Sequence, residues 1–170
     1  MTRYVALLRA VNVGGTGKLP MADLRAICGD AGFMRAETYI ASGNVVFESG
    51  LAPAKVKALL ESRLAAYLGK STAVMLRTAA EMAAVLEANP FTDTEPKRTY
   101  AIFLDHPPPR DALEHAVGQK DEAMALGARE IFVHYGSGMG RSKLRIPAAK
   151  AGTARNMNTV ATLVEMATKI

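Results

Sequence analysis

The sequence predicts an α+β fold made of two ferredoxin-like lobes, each running β-α-β-β-α, in a pseudo-duplicated arrangement. Three observations lead there. Apolar runs of strand length alternate with segments of helical period. An aperiodic stretch with two prolines, Asn89-Pro90-Phe91-Thr92-Asp93-Thr94-Glu95-Pro96, interrupts the chain near its middle. The element order before it returns after it, although residue identity between the halves is poor. The expected organisation is an N-terminal lobe over 1–88, a linker over 89–97 and a C-terminal lobe over 98–170, with one integrated domain as the alternative.

Residues 4–11 form a nearly continuous apolar run, the pattern of a strand covered on both faces. Pro20 then opens a helix with Met21, Leu24, Ile27, Cys28 and Ala31 on one face, and Gly32 stops it. The β-rich runs 38–41 and 45–48 flank Ser42-Gly43-Asn44, which is hairpin chemistry. Pro53 begins a second helix with Val56, Leu59, Leu60, Leu64, Tyr67 and Leu68 aligned, followed by a strand over 72–77 and a helix over 79–88. Beyond the linker, 98–104 reads as a strand, 109–117 as a short helix, and 122–126 and 130–135 as strands. The closing helix is expected over 153–168, capped by Thr153, with Met157, Val160, Ala161, Val164 and Ala167 as its packing face.

At 170 residues and 49% hydrophobic content, the chain can fill one ordinary core or two small ones. No apolar run reaches the ~18 residues of a membrane span. The start, Arg3-Tyr4-Val5-Ala6-Leu7-Leu8-Arg9, reads as a strand rather than a leader, because Arg9 cuts the apolar run short and no cleavage site follows. The single cysteine, Cys28, allows no internal disulfide and no Cys-based zinc site, and is expected in the core. The expected location is the cytoplasm, with no membrane partner.

The net charge of +5 favours anionic partners weakly. The run Arg141-Ser142-Lys143-Leu144-Arg145 is read first as ordinary basic surface and second as a nucleic-acid surface, since the chain has no Trp for stacking and its cations are scattered. His106, His115 and His134 fall on different elements, and neither a metal-ligating helix pair nor a nucleophile elbow is present. The sequence calls for no metal and no cofactor, and it identifies no catalytic residue.

Three polar islands mark element ends: Asn12-Val13-Gly14-Gly15-Thr16-Gly17-Lys18, Ser42-Gly43-Asn44 and Thr153-Ala154-Arg155-Asn156-Met157-Asn158-Thr159. Freed glycine NH groups beside Asn, Ser, Lys and Arg donors suit a phosphate or carboxylate. Gly17-Lys18 is not a P-loop, because Asn12 and Leu19 stand where that motif needs Gly and Ser or Thr. The segment 136–143 lacks dinucleotide glycine spacing and is read as a loop. Arg9, on the strand face of Val5, Leu7 and Val11, is expected inward and therefore paired. Arg155, in the first turn of the closing helix, would oppose the helix dipole unless an anion or acidic neighbour meets it. The expected ligand-binding residues are Arg9, Asn12, Gly14, Gly15, Lys18, Ser42, Asn44, Arg155 and Asn156, and the expected partner is a small anion. An enzyme using the same cluster to steady negative charge is one alternative. An interaction module or homodimer without a small ligand is the other.

The pieces 7–15, Lys18-Leu19-Pro20-Met21, 39–47 and Arg155-Asn156-Met157-Asn158-Thr159 resemble the bacterial domain-of-unknown-function 1697 family, departing from it at Met157, where the family carries Trp. The resemblance spans nearly the whole chain. It implies a small cytoplasmic α+β protein with two ferredoxin-like lobes, and it brings no activity or cofactor with it.

Overall fold

The apolar run near the N-terminus becomes β1 (Thr2–Leu8), whose residues Tyr4 to Leu8 are all buried, as a strand covered on both faces requires. The computed structural model describes residues 1–13 and 18–169. The chain divides into two compact units, Met1–Met82 with Leu163–Ile170, and Ala83–Thr162.

In the first unit β1 is followed by α1 (Met21–Asp30), β2 (Met34–Thr38), β3 (Asn44–Ser49), α2 (Pro53–Leu68), β4 (Val74–Thr78) and the start of α3 (Ala79–Ala88). The strands form one antiparallel sheet in the order β2-β3-β1-β4, the ferredoxin-like arrangement in which β3 separates β1 from β2. Tyr4, Ala6 and Leu8 share a face with Val45, Phe47, Val74 and Leu76, and Leu24 and Cys28 of α1 and Val56, Leu60 and Leu64 of α2 pack onto it. Phe33 stacks on Phe47 with ring centroids 4.4 Å apart. Burial pushes the Cys28 thiol up to about 12, so it stays protonated and unreactive at neutral pH. Lys57 and Glu61 of α2 clamp the start of β4: Lys57 Nζ donates to Val74 O at 2.5 Å, and Val74 N donates to Glu61 Oε2 at 2.9 Å. The outer strand β2 carries a register shift between Met34 and Glu37, with Arg35 at φ +54°.

The second unit repeats this plan with different cover. Its strands are β5 (Thr99–Phe103), β6 (Ala123–Leu126), β7 (Glu130–His134) and β8 (Thr153–Asn156), again antiparallel and again in the order β6-β7-β5-β8. The pairing places Tyr4 opposite Thr78 and Tyr100 opposite Asn156, so Tyr4-Val5-Ala6-Leu7-Leu8 and Tyr100-Ala101-Ile102-Phe103-Leu104 occupy the same positions in the two sheets. Where the first unit has two helices, the second has 3-10 turns, chiefly Ala112–His115 and Pro147–Ala149. The short helix expected over 109–117 is reduced to the one 3-10 turn Ala112–His115.

The C-terminal segment differs from expectation in a second way. Residues 153–156 are the strand β8, and α4 (Met157–Lys169) begins only after it. Its cap is Asn156, whose Oδ1 accepts the Thr159 NH at 2.9 Å. Its buried face is Met157, Val160, Leu163 and Ala167, with Ala161 exposed rather than packed.

Candidate functional site

Backbone strain concentrates where the first and second polar islands meet. Ala10, Asn12 and Ile40 have φ values of +56°, +57° and +51°, the left-handed region that side chains seldom enter. Ala10 and Asn12 end β1 at Leu8, which removes the alternation that put Arg9 inward; Arg9 is exposed, not buried. Its backbone NH donates to Ala73 O at 2.9 Å.

Asn12 fastens this turn. Its Nδ2 donates to Leu19 O and to Ala41 O, each at 2.8 Å, and its Oδ1 accepts the Leu19 NH at 2.7 Å. The second island is tied in the same manner: the buried Asn44 donates from Nδ2 to Tyr39 O at 2.8 Å and to Ser42 Oγ at 2.9 Å. Gly43, at φ +90°, accepts the Leu8 NH on its carbonyl at 2.9 Å, and a Cβ there would lie 2.6 Å from Val11 Cγ2. The structure thus brings Asn12, Ser42 and Asn44 into one loop system, with their amides turned to backbone carbonyls, while Arg9 and Lys18 stay exposed on it. Gly14 and Gly15 lie outside the described residues.

Arg155 and Asn156 belong to the second unit, where both serve β8 and α4. Since Arg155 is on a strand, it does not face the dipole of a first helical turn. It is 6% exposed, and its Nη1 donates to Thr153 Oγ1 at 2.6 Å and to Ala154 O at 2.9 Å. Burial draws its guanidinium down to about 10, which leaves it charged at neutral pH. Arg77, which the sequence reading passed over, is its counterpart in the first unit: 1% exposed, opposite Val5 as Arg155 is opposite Ala101, and donating from Nη1 to Leu76 O at 2.9 Å. Each strand then ends on a helix cap, Asn156 in one case and Thr78 in the other, whose Oγ1 accepts the Glu81 NH at 3.1 Å while Glu81 Oε1 accepts the Thr78 NH. The signal for Arg77 was a lone charge inside an otherwise apolar strand.

The loop 136–143 is tied down by acids. Ser142 Oγ donates to Glu122 Oε2 at 2.5 Å, the Lys120 NH donates to Glu122 Oε1 at 2.6 Å, and Ser137 donates to Asp121. These bonds hold the Glu122 carboxyl below its ordinary value. Among the described residues no cluster of His, Cys, Asp and Glu is placed to hold a metal ion, and no helix is long and apolar enough to cross a membrane.

A family model described as a protein of unknown function, DUF1697, matches residues 1–132. The chain belongs to the DUF1697 family. This DUF1697 protein is similar over its length to a solved structure, that of a conserved bacterial protein from Streptococcus pneumoniae, with 29% identity, 98% of each chain covered and a TM-score of 0.81. No curated protein matches it. The DUF1697 membership agrees with the resemblance carried by the first two polar islands, the third lying beyond the matched residues 1–132, and the structural likeness agrees with the two-lobed α+β architecture.

Proposed function

We propose that this DUF1697 protein binds a small anion, bearing a carboxylate or phosphate, on the loops that follow β1, with Arg9 and Lys18 supplying the charge. Asn12, Ser42 and Asn44 act by fixing those loops. The observation that supports this reading best is the group of left-handed, non-glycine residues Ala10, Asn12 and Ile40, locked by the three hydrogen bonds of Asn12. Such conformations cost ~1–3 kcal/mol each and are kept where they hold a working geometry. Two exposed cations flanking the strained turn give it a ligand class. Arg155 and Asn156 are engaged in β8 and α4 and are not required.

Thermal unfolding with inorganic phosphate, nucleotides, sugar phosphates and dicarboxylates tests it, run on wild type and on an Arg9→Ala/Lys18→Ala double variant. A ligand at 100 times its dissociation constant adds ~2.7 kcal/mol, a shift of several degrees. The expected result is a shift in wild type that the double variant loses. Equal shifts in both proteins, or none with any anion, would overturn the proposal.

A further inference from the structure

The second unit offers a different site. Its β5–β7 face presents Tyr100, Ile102, Leu104, Ile131, Val133 and Tyr135, the face that α1 and α2 seal in the first unit. Here the cover is a strip of chain rather than a helix. Val117 and Arg145 are bridged by paired backbone hydrogen bonds of 2.9 and 2.8 Å, which fixes the segment running into Ile146 across the sheet. Between this strip, the 3-10 turn Pro147–Ala149 and the sheet lies a groove of about 560 Å³, within the range of roughly 300–1,000 Å³ that small-molecule sites occupy.

The lining of the groove specifies a chemistry. Ile102, Val117, Leu144, Ile146 and Ala149 make it apolar, and among the described residues the charged ones that line it are the cations Arg145 and Lys150. The exposed Arg145 guanidinium makes no hydrogen bond or ion pair with any described residue. Tyr135 is 8% exposed, lines the groove, and its hydroxyl has no hydrogen-bond partner among the described residues. Among the described residues no side-chain oxygen or nitrogen shut off from solvent lacks a partner, so this hydroxyl is open to water, and Tyr135 is one of the residues that line the groove. An open phenol can exchange its water for a ligand oxygen without losing a hydrogen bond. Burial raises the Tyr135 phenol above its ordinary value, so it remains a donor at neutral pH.

We propose that this groove binds a small amphipathic carboxylate, its apolar body against Ile102, Val117, Ile146 and Ala149 and its acid group on Arg145 and the Tyr135 hydroxyl. The site is separate from the loops that follow β1 and stands or falls without them. Charge complementarity selects the acid, because an apolar ligand without a negative end would leave the Arg145 guanidinium unanswered.

Octanoate is the probe, followed by calorimetric titration and by mapping amide chemical shifts. Saturable binding with shifts at 117, 135 and 144–150 is expected, with affinity falling at least about tenfold for octanol and for Arg145→Gln, the loss of one charge-assisted partner. Tyr135→Phe weakens binding to a smaller degree. Ala149→Trp fills the groove and abolishes binding; Val117→Trp, on an exposed wall position, repeats the test should the first variant unfold. Absence of saturable binding by monomeric octanoate, octanol bound as tightly as octanoate, shifts confined to other residues, or full binding by a folded Trp variant would each overturn the proposal.

Discussion

Tyr4 and Tyr100 start the same strand in two sheets of identical order, yet the surfaces over them differ. Tyr4 is sealed: its ring lies 5.8 Å from that of Phe47, its hydroxyl donates to Leu51 O at 2.7 Å, and two helices close the face. Tyr100 packs edge-on to Tyr135 at 5.5 Å beside a groove that turns and loops leave open. A sheet face can thus be completed by helices, which bury it and confer stability, or by short turns, which leave room for something else. The same duplication yields a closed lobe and an open one.

That contrast can be broken by experiment. Leu60→Ala, in the helical cover, should cost ~2–5 kcal/mol by denaturant unfolding, whereas Leu144→Ala, on the half-buried groove wall, should cost less than ~2 kcal/mol; equal losses would mean the two covers are equally packed. The two loop systems differ on the same principle. Gly43 and Gly138 both have φ +90°, but a Cβ at Gly43 meets Val11 and Leu8, while at Gly138 it meets open space. Gly43→Ala should cost more than ~2 kcal/mol and Gly138→Ala about 1 kcal/mol, the backbone strain alone. The smallest effect concerns acid. Because the Glu122 carboxyl is held below the ordinary 4.5 in the folded protein, its contribution is full above that value and fades as pH falls through the lowered one. Glu122→Gln should be less stable than wild type at neutral pH and should lose less on acidification. An unchanged pH profile would show that Glu122 does not hold the 136–143 loop.

Periodicity read the helices of the closed lobe well, though it put a strand at 38–41 where β2 runs Met34–Thr38. Leu24 and Cys28 of α1, Val56, Leu60 and Leu64 of α2, and the bounds of α3 all emerge from apolar spacing, because helices that seal a face must carry an apolar stripe. The open lobe was less legible for the same reason: turns that only partly cover a sheet need no stripe, so a helix was expected over 109–117 where the chain forms a 3-10 turn. The strand β8 is four residues long, polar on paper, and its strand character comes from pairing with β5. Arg9 misled because strand alternation was extended past Leu8, and the left-handed turn that ends β1 is set by Asn12 bonding to residues far along the chain. Of the expected site, Asn12, Ser42 and Asn44 are gathered by the structure, whereas the Tyr135 and Arg145 groove left no motif.

The bulge in β2 shapes one outer edge of the first sheet. An outer strand normally offers a straight row of unused amides and carbonyls to any neighbour. With Arg35 at φ +54° and the ladder broken between Met34 and Glu37, that row is bent and carries a charged side chain at the bend. At β2 the first sheet therefore offers no straight edge for a further strand to extend.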